Sequence, residues 1–236
     1  MTQPTRIRIG GLDAWDVPGQ PGGPVVVLLH GFGADANDLL PLHRYMSMPA
    51  GTRWVVPDAP LSLGISPLFG GRAWFPIDQE AVQRAAATGS HRDLSGVTPP
   101  GLDDAREAVL RLVAELGTSP ANVVLAGFSQ GAMVATEVAL TLPLNVAAMV
   151  LFSGTLLHEP IWRRNAQQRS GLRFFQSHGL YDPLLGVHMA RRLNTVLNEA
   201  GVTGDLLEFP GHHEIPPNVL RGAMAFVNDV FANRPE

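Results

Sequence analysis

Residues 127–131 read Gly127-Phe128-Ser129-Gln130-Gly131 and directly follow the apolar run Asn122-Val123-Val124-Leu125-Ala126. A Gly-x-Ser-x-Gly pentapeptide in that position marks a sharp strand-to-helix turn that holds its serine strained and exposed at the edge of a sheet. The glycines have a steric reason to be there. Where the backbone doubles back, a side chain at either position collides with the neighbouring strand or helix. A chain with 25 glycines also produces such a pentapeptide by chance, so a plain turn serine is the competing reading. Ser129 counts as a nucleophile only if the rest of the chain supplies its partners.

Short apolar, β-branched blocks recur at 25–29, 54–56, 123–126, 147–152, 173–176 and 206–209. They are mostly continuous rather than alternating, as strands buried on both faces of a parallel sheet require. Segments with helical spacing lie between them. Leu102, Ala105, Val109, Leu112, Val113 and Leu116 share one face and stop at Gly117. A second helix is expected from Gln130 to about Leu142, ended by Pro143. A third places Ala190, Leu193, Leu197 and Ala200 on one stripe before Gly201, and a last one starts near Pro216-Pro217 and turns Leu220, Met224, Val227 and Phe231 inward. This alternation predicts an α/β fold, a mostly parallel central sheet with helices on both faces.

Residues 57–101 break the rhythm. They are rich in Gly, Pro and Ser but carry Leu61, Leu63, Ile65, Leu68, Phe69, Trp74 and Phe75, and read as an irregular loop that shapes or covers a substrate site. With no repeat and no linker, residues 1–236 read as one domain. The net charge of −4 is spread along the chain without a Lys/Arg cluster, which disfavours nucleic acid as a partner. The absence of cysteine removes disulfides, thiolate metal sites and a thiol nucleophile together. No signal peptide is visible and no apolar run approaches the roughly 20 residues of a membrane span, so a cytoplasmic location is expected.

A serine hydroxyl attacks only if an imidazole takes its proton, and a carboxylate must orient that imidazole. After the block at 173–176 comes Ser177-His178-Gly179-Leu180-Tyr181-Asp182-Pro183, and after that at 206–209 comes Pro210-Gly211-His212-His213-Glu214. Both candidate partners therefore follow the C-terminal ends of strands, where a parallel sheet gathers its active site. Asp182 before Pro183 also reads as a turn pair, with Glu159 or Asp205 as alternative carboxylates. His212-His213-Glu214 lacks the helical spacing that brings two imidazoles to one zinc, so no metal is expected there.

Two backbone N–H groups are needed for the developing oxyanion. Gln130, directly after the serine, supplies one, and Phe32 in the loop His30-Gly31-Phe32-Gly33 supplies the other. His30 reads as a packing residue at a strand end. The same loop, Gly31-Phe-Gly33-Ala-Asp-Ala36 with Asp58 after the next strand, also matches a dinucleotide-binding fingerprint. Asp35-Ala-Asn-Asp38 and Pro41 make a poor helix to aim at a pyrophosphate, and that reading leaves the ordered Ser, Asp and His unused.

With these pieces placed, the chain resembles the phospholipase/carboxylesterase family of α/β-hydrolases, which includes acyl-protein thioesterases. The likeness is carried by Leu28-Leu-His-Gly-Phe-Gly, Trp54-Val-Val-Pro-Asp-Ala-Pro, Arg72-Ala-Trp-Phe, Gly127-Phe-Ser-Gln-Gly, Ser153-Gly154, His178-Gly-Leu-Tyr-Asp-Pro and His213-Glu-Ile-Pro-Pro. The resemblance implies an α/β-hydrolase fold and a hydrolase of carboxylic esters or thioesters that needs no cofactor. Ser129, Asp182 and His213 then form the triad, and the N–H groups of Phe32 and Gln130 form the oxyanion hole. It prefers His213 to His212, which stands where glycine is expected, as Ala132 stands where many relatives have a second glycine. A small acyl ester or thioester is the implied partner, and the pairing common in the family implies a homodimer.

Leu68, Trp74, Phe75, Leu156 and Leu184 are expected to shape an acyl or aromatic pocket, with core packing the alternative for each. Amide hydrolysis, acyl transfer on the same triad, or a non-catalytic binding protein on this fold are the competing readings. The segment 77–98 matches nothing in the family.

Overall fold

The computed structural model describes residues 3–64, 71–141 and 145–233. Its central sheet has eight strands in the order β1-β2-β4-β3-β7-β8-β9-β10. These are β1 (Thr5–Ile9), β2 (Leu12–Val17), β3 (Val25–Leu29), β4 (Arg53–Pro57), β7 (Val123–Phe128), β8 (Ala148–Phe152), β9 (Arg173–Gly179) and β10 (Thr203–Phe209). A small separate ladder pairs β5 (Leu61–Ser62) with β6 (Arg72–Ala73). From β4 to β10 every pairing is parallel, while β1 and β2 join antiparallel at one edge. That antiparallel edge escaped the sequence reading because Thr5-Arg-Ile-Arg-Ile alternates rather than running apolar, as a half-exposed strand does.

The continuous apolar strands are buried on both faces, and successive residues go to opposite sides of the sheet. Val25, Val27 and Leu29 join Leu125, Met149, Leu151 and Phe174 under α4 (Leu102–Glu115), α5 (Gln130–Thr141) and α7 (Val187–Glu199). Val26 and Leu28 join Val124, Val150, Phe152 and Phe209 on the other face, against the short α1 (Ala36–Leu39) and the long α8 (Pro217–Ala232). Within α8 the fully buried stripe is Val219, Ala223 and Val227, with Leu220, Met224 and Phe231 partly buried beside it. The remaining helices are α2 (Leu42–Tyr45), α3 (Gln79–Ala87) and α6 (Glu159–Ala166).

Helix α5 is buried all round, from Gln130 to Leu140, because it lies on β7 and β8 with α4 and α6 against its flanks. The expected end of this helix at Leu142 and Pro143 lies outside the described residues. Ala132 fits on α5 because Gly154 has no side chain: a Cβ at Gly154 would stand 2.9 Å from that of Ala132.

The expectation of an irregular loop over 57–101 is corrected by the structure. The stretch contains the β5–β6 ladder and helix α3. Helix α3, Gln79-Glu-Ala-Val-Gln-Arg-Ala-Ala-Ala87, carries one valine among small and polar residues, so no apolar stripe announced it. The short α6 was missed for a similar reason, since only Trp162 and Ala166 are buried along it.

Candidate active site

The strand β7 ends in the turn that holds Ser129, whose φ of 54° lies in the left-handed region. Its N–H is fixed by the carbonyl of Phe152 at 2.9 Å. Both glycines of the pentapeptide are sterically required. A Cβ on Gly127 would lie 2.3 Å from the backbone of Gly131, and one on Gly131 would lie 2.1 Å from the carbonyl oxygen of Leu29. A strained serine presented between two such contacts is the geometry of a nucleophile elbow.

The parallel register delivers the other candidates to the same sheet end. Leu29 pairs with Gly127, and Phe209 with Gly179, so the loops after β3, β7, β9 and β10 leave the sheet at the same end, with β8 between the two pairs. The last two are zipped together beyond the sheet by Leu180 N–H to the Phe209 carbonyl and Tyr181 N–H to the Gly211 carbonyl, each 2.9 Å. A Cβ at Gly179 would stand 2.0 Å from the His212 carbonyl, so the two loops are in direct backbone contact.

That contact sets Asp182 against His213. The imidazole Nδ1–H donates to Asp182 Oδ2 at 2.6 Å, which fixes the tautomer and leaves Nε2 with the free lone pair. The other carboxylate oxygen accepts from the N–H groups of Leu184 and Leu185 at 2.9 and 3.0 Å. Burial alone raises a carboxyl pKa, but contacts from His178 and His213 and the Leu185 N–H outweigh it and hold Asp182 well below the usual carboxylate range. Glu159 instead pairs with Arg163 and Arg192, and Asp205 stands exposed on β10.

Ser129 and His213 line one cavity of about 220 Å³, together with Gly31, Phe32, Phe128 and Gln130. Gln130 opens α5, and the first N–H groups of a helix have no intrahelical acceptor. Among the described residues the Ser129 hydroxyl has no hydrogen-bond partner. Catalytic hydrogen bonds in unliganded sites are commonly loose and tighten in the substrate complex.

Other sequence expectations fall out as follows. Phe75 and Leu184 line the cavity. Trp74 and Leu156 do not: both are completely buried in the core, and the Trp74 indole N–H is committed to the His30 carbonyl at 2.9 Å. Leu68 lies outside the described residues. His30 packs as expected. Its Nε2 accepts from Ala59 N–H at 3.0 Å, its Nδ1–H donates to the Gly31 carbonyl at 2.8 Å, and burial lowers its pKa. Asp58, counted in the dinucleotide fingerprint, receives the Ala36 N–H at 2.8 Å and pairs with Arg6. Of the adjacent histidines, the exposed His212 donates to the Tyr181 carbonyl at 2.9 Å, away from Asp182.

Three features went unread in the sequence. His178, fully buried, places Nε2 3.3 Å from Asp182 Oδ2 and donates to the Leu185 carbonyl at 2.7 Å. The Gln130 side chain accepts from Trp74 N–H at 2.9 Å and donates to the Phe75 carbonyl at 2.8 Å, tying the 74–75 turn to the elbow. Ile77, Val82, Arg92 and Leu94 complete the cavity wall from the unmatched segment. Gln130 lay inside the pentapeptide and His178 at the head of His178-Gly-Leu-Tyr-Asp-Pro, while the cavity residues of the unmatched segment had no motif to mark them.

A model of the phospholipase/carboxylesterase family matches residues 16–231. The chain belongs to that family. The acyl-protein thioesterase 1 of Saccharomyces cerevisiae is 26% identical over 181 residues, 71% of this chain and 74% of the yeast protein. A probable carboxylesterase of Oryza sativa subsp. japonica is 27% identical over 191 residues, 79% of this chain and 69% of the rice protein. The crystal structure of esterase PE8 superposes with a TM-score of 0.78 at 29% identity, covering 95% of this chain and all of that one. The fold is accordingly the α/β-hydrolase fold, and the protein is a hydrolase acting on ester or thioester bonds. No helix among the described residues is long and apolar enough to cross a membrane.

Proposed function

We propose that this enzyme cleaves carboxylic esters, and thioesters, through an acyl-enzyme on Ser129. The observation that carries the reading is the 2.6 Å hydrogen bond from His213 Nδ1–H to Asp182, which turns the unprotonated Nε2 into the enzyme's base. His213 and Ser129 line the same cavity, which supports that role. Nε2 takes the hydroxyl proton as Ser129 Oγ attacks the acyl carbon, and Asp182 stabilises the imidazolium that forms. The tetrahedral oxyanion is held by the N–H groups of Phe32 and Gln130. His213 then gives its proton to the leaving alcohol or thiol, and a water activated by the same imidazole releases the acid. The cavity wall of Phe75, Ile77, Val82, Leu94, Met133 and Leu184 suits an apolar acyl or aromatic group.

The test is Ser129→Ala with a p-nitrophenyl ester series and a fluorophosphonate probe. Turnover is expected to fall by about 10³-fold or more, with probe labelling lost and the circular dichroism spectrum unchanged. Near-normal hydrolysis by the alanine variant would remove Ser129 from the mechanism.

A further inference from the structure

The cavity beside Ser129 is apolar over most of its wall, yet it includes two charged side chains that the ester chemistry does not use, Arg92 and Asp38. The backbone that carries Arg92 is pinned on both sides. His91 Nε2–H donates to the Asp182 carbonyl at 2.8 Å, and Asp93 Oδ1 accepts the Ser95 N–H at 2.8 Å. Farther along, the carbonyls of Ser95 and Val97 accept from Glu159 N–H at 2.6 Å and His158 N–H at 3.2 Å. Arg92 is therefore tied at one end to the loop that presents Asp182 and at the other to the start of α6.

Its side chain is half-buried and, among the described residues, forms no hydrogen bond and no ion pair. Nearby arginines are paired: Arg163 with Glu159 and Glu199, Arg191 with Glu208, Arg192 with Glu159. A guanidinium is a planar fork of donors that matches a carboxylate in two parallel hydrogen bonds. Set in a mostly apolar wall where no protein carboxylate among the described residues pairs with it, it is satisfied best by one that arrives with a ligand. Asp38 stands exposed on α1, on the side of the Phe32 loop, where its like charge disfavours an anion and directs it toward the 91–97 segment.

We propose that Arg92 recognises a carboxylate carried by the substrate, so that this site prefers acyl esters with a negative charge close to the scissile bond. The inference rests on the Ser129 reading above, and the test separates the two. The carboxylate sits either on the acyl group or on the alcohol, and two substrate pairs distinguish these. Monomethyl adipate is compared with methyl hexanoate, and 3-acetoxybenzoate with 3-methylphenyl acetate. For each pair the ratio of kcat/KM, charged over uncharged, is measured for wild type, Arg92→Met and Arg92→Gln. The ratio cancels any general loss of active enzyme, and Met preserves the apolar stem that an arginine merely covering the wall would contribute. In one pair the ratio is expected to fall about tenfold in both variants, the loss of one charge-assisted contact. A shift of less than about threefold in both pairs would overturn the proposal, because charge-assisted contacts are worth more than that. Wild type inert toward charged and uncharged esters alike, and unlabelled by the fluorophosphonate probe, would instead defeat the esterase mechanism at Ser129.

Discussion

Among the described residues two buried carboxylates bind imidazoles, and the pair of Asp182 with His213 borders the cavity while that of Glu137 with His158 does not. Asp182 meets His213 at 2.6 Å, and Glu137 on α5 meets His158 at 2.8 Å. Both acids are almost inaccessible, and both have pKa values below the ordinary range despite their burial. They differ in where the second imidazole nitrogen goes. His158 Nδ1 lies 3.1 Å from Thr98 Oγ1, and Glu137 also receives the Trp162 indole N–H at 2.6 Å and Arg106 at 3.2 Å. Every polar atom of that imidazole is spent inside the protein. His213 spends one nitrogen on Asp182, makes no hydrogen bond with the other among the described residues, and lines the cavity that Ser129 lines. A carboxylate–histidine contact is therefore not a catalytic signature by itself. In the proposed mechanism the distinguishing feature is the unspent nitrogen of His213 at the cavity that Ser129 also lines.

The strongest way to break this comparison is to remove each imidazole separately. His213→Ala is expected to lower kcat for p-nitrophenyl esters by about 10³-fold or more, with little change in melting temperature. His158→Ala is expected to do the reverse, leaving kcat per folded molecule near wild type while lowering the melting temperature, because it strips a partner from a buried charge. A His158→Ala enzyme that stays folded and loses turnover would place both pairs in the mechanism.

Acid sharpens the same contrast. Burial would raise the Glu137 pKa, but hydrogen bonds from His158, Trp162 and Arg106 outweigh it and lower it from 4.5 to about 2. A carboxyl depressed on folding contributes stability that is present above its unfolded pKa and lost as pH falls through the folded one. The contribution is therefore full above about pH 4.5 and disappears toward pH 2. Glu137→Gln is expected to cost roughly 3 kcal/mol of unfolding free energy at neutral pH. Urea titrations should show that deficit shrinking as pH drops through this window. A deficit of constant size at every pH would mean that packing, not the charge, holds the cluster.

The sheet and the elbow were legible because their signals are local. Continuous apolar runs announce doubly buried strands, and the glycines of the pentapeptide answer to contacts of 2.3 Å or less that no side chain survives. Asp182 and His213 were legible through position, each one loop beyond a strand end. What stayed hidden depends on contacts between distant segments. The depth of Trp74 and Leu156 is set by which neighbours cover them, and an apolar residue near a motif reads the same whether it lines a cavity or fills the core. Glu137 sits in a mostly apolar helix with partners 21, 25 and 31 residues away, so no spacing rule finds its cluster. Arg92 lay in a segment without any motif, and only the fold brings it to the cavity.

The smallest expected effect concerns the histidine that sequence spacing could not tell from its neighbour. His212 and His213 share a loop, but alternate side-chain directions send His213 to Asp182 and His212 to the Tyr181 carbonyl. The loop does not depend on that second bond. Tyr181 N–H already holds the Gly211 carbonyl at 2.9 Å, and the backbone at His212 abuts Gly179 too closely for a Cβ between them. Removing an exposed hydrogen bond whose acceptor can turn to water costs about 1 kcal/mol or less. His212→Ala is therefore expected to change kcat/KM for a neutral ester by no more than about twofold, since neither the Asp182–His213 bond nor the elbow loses a contact. A loss comparable to that of His213→Ala would mean that the imidazole at 212 reaches the nucleophile, and the roles of the two histidines would have to be exchanged.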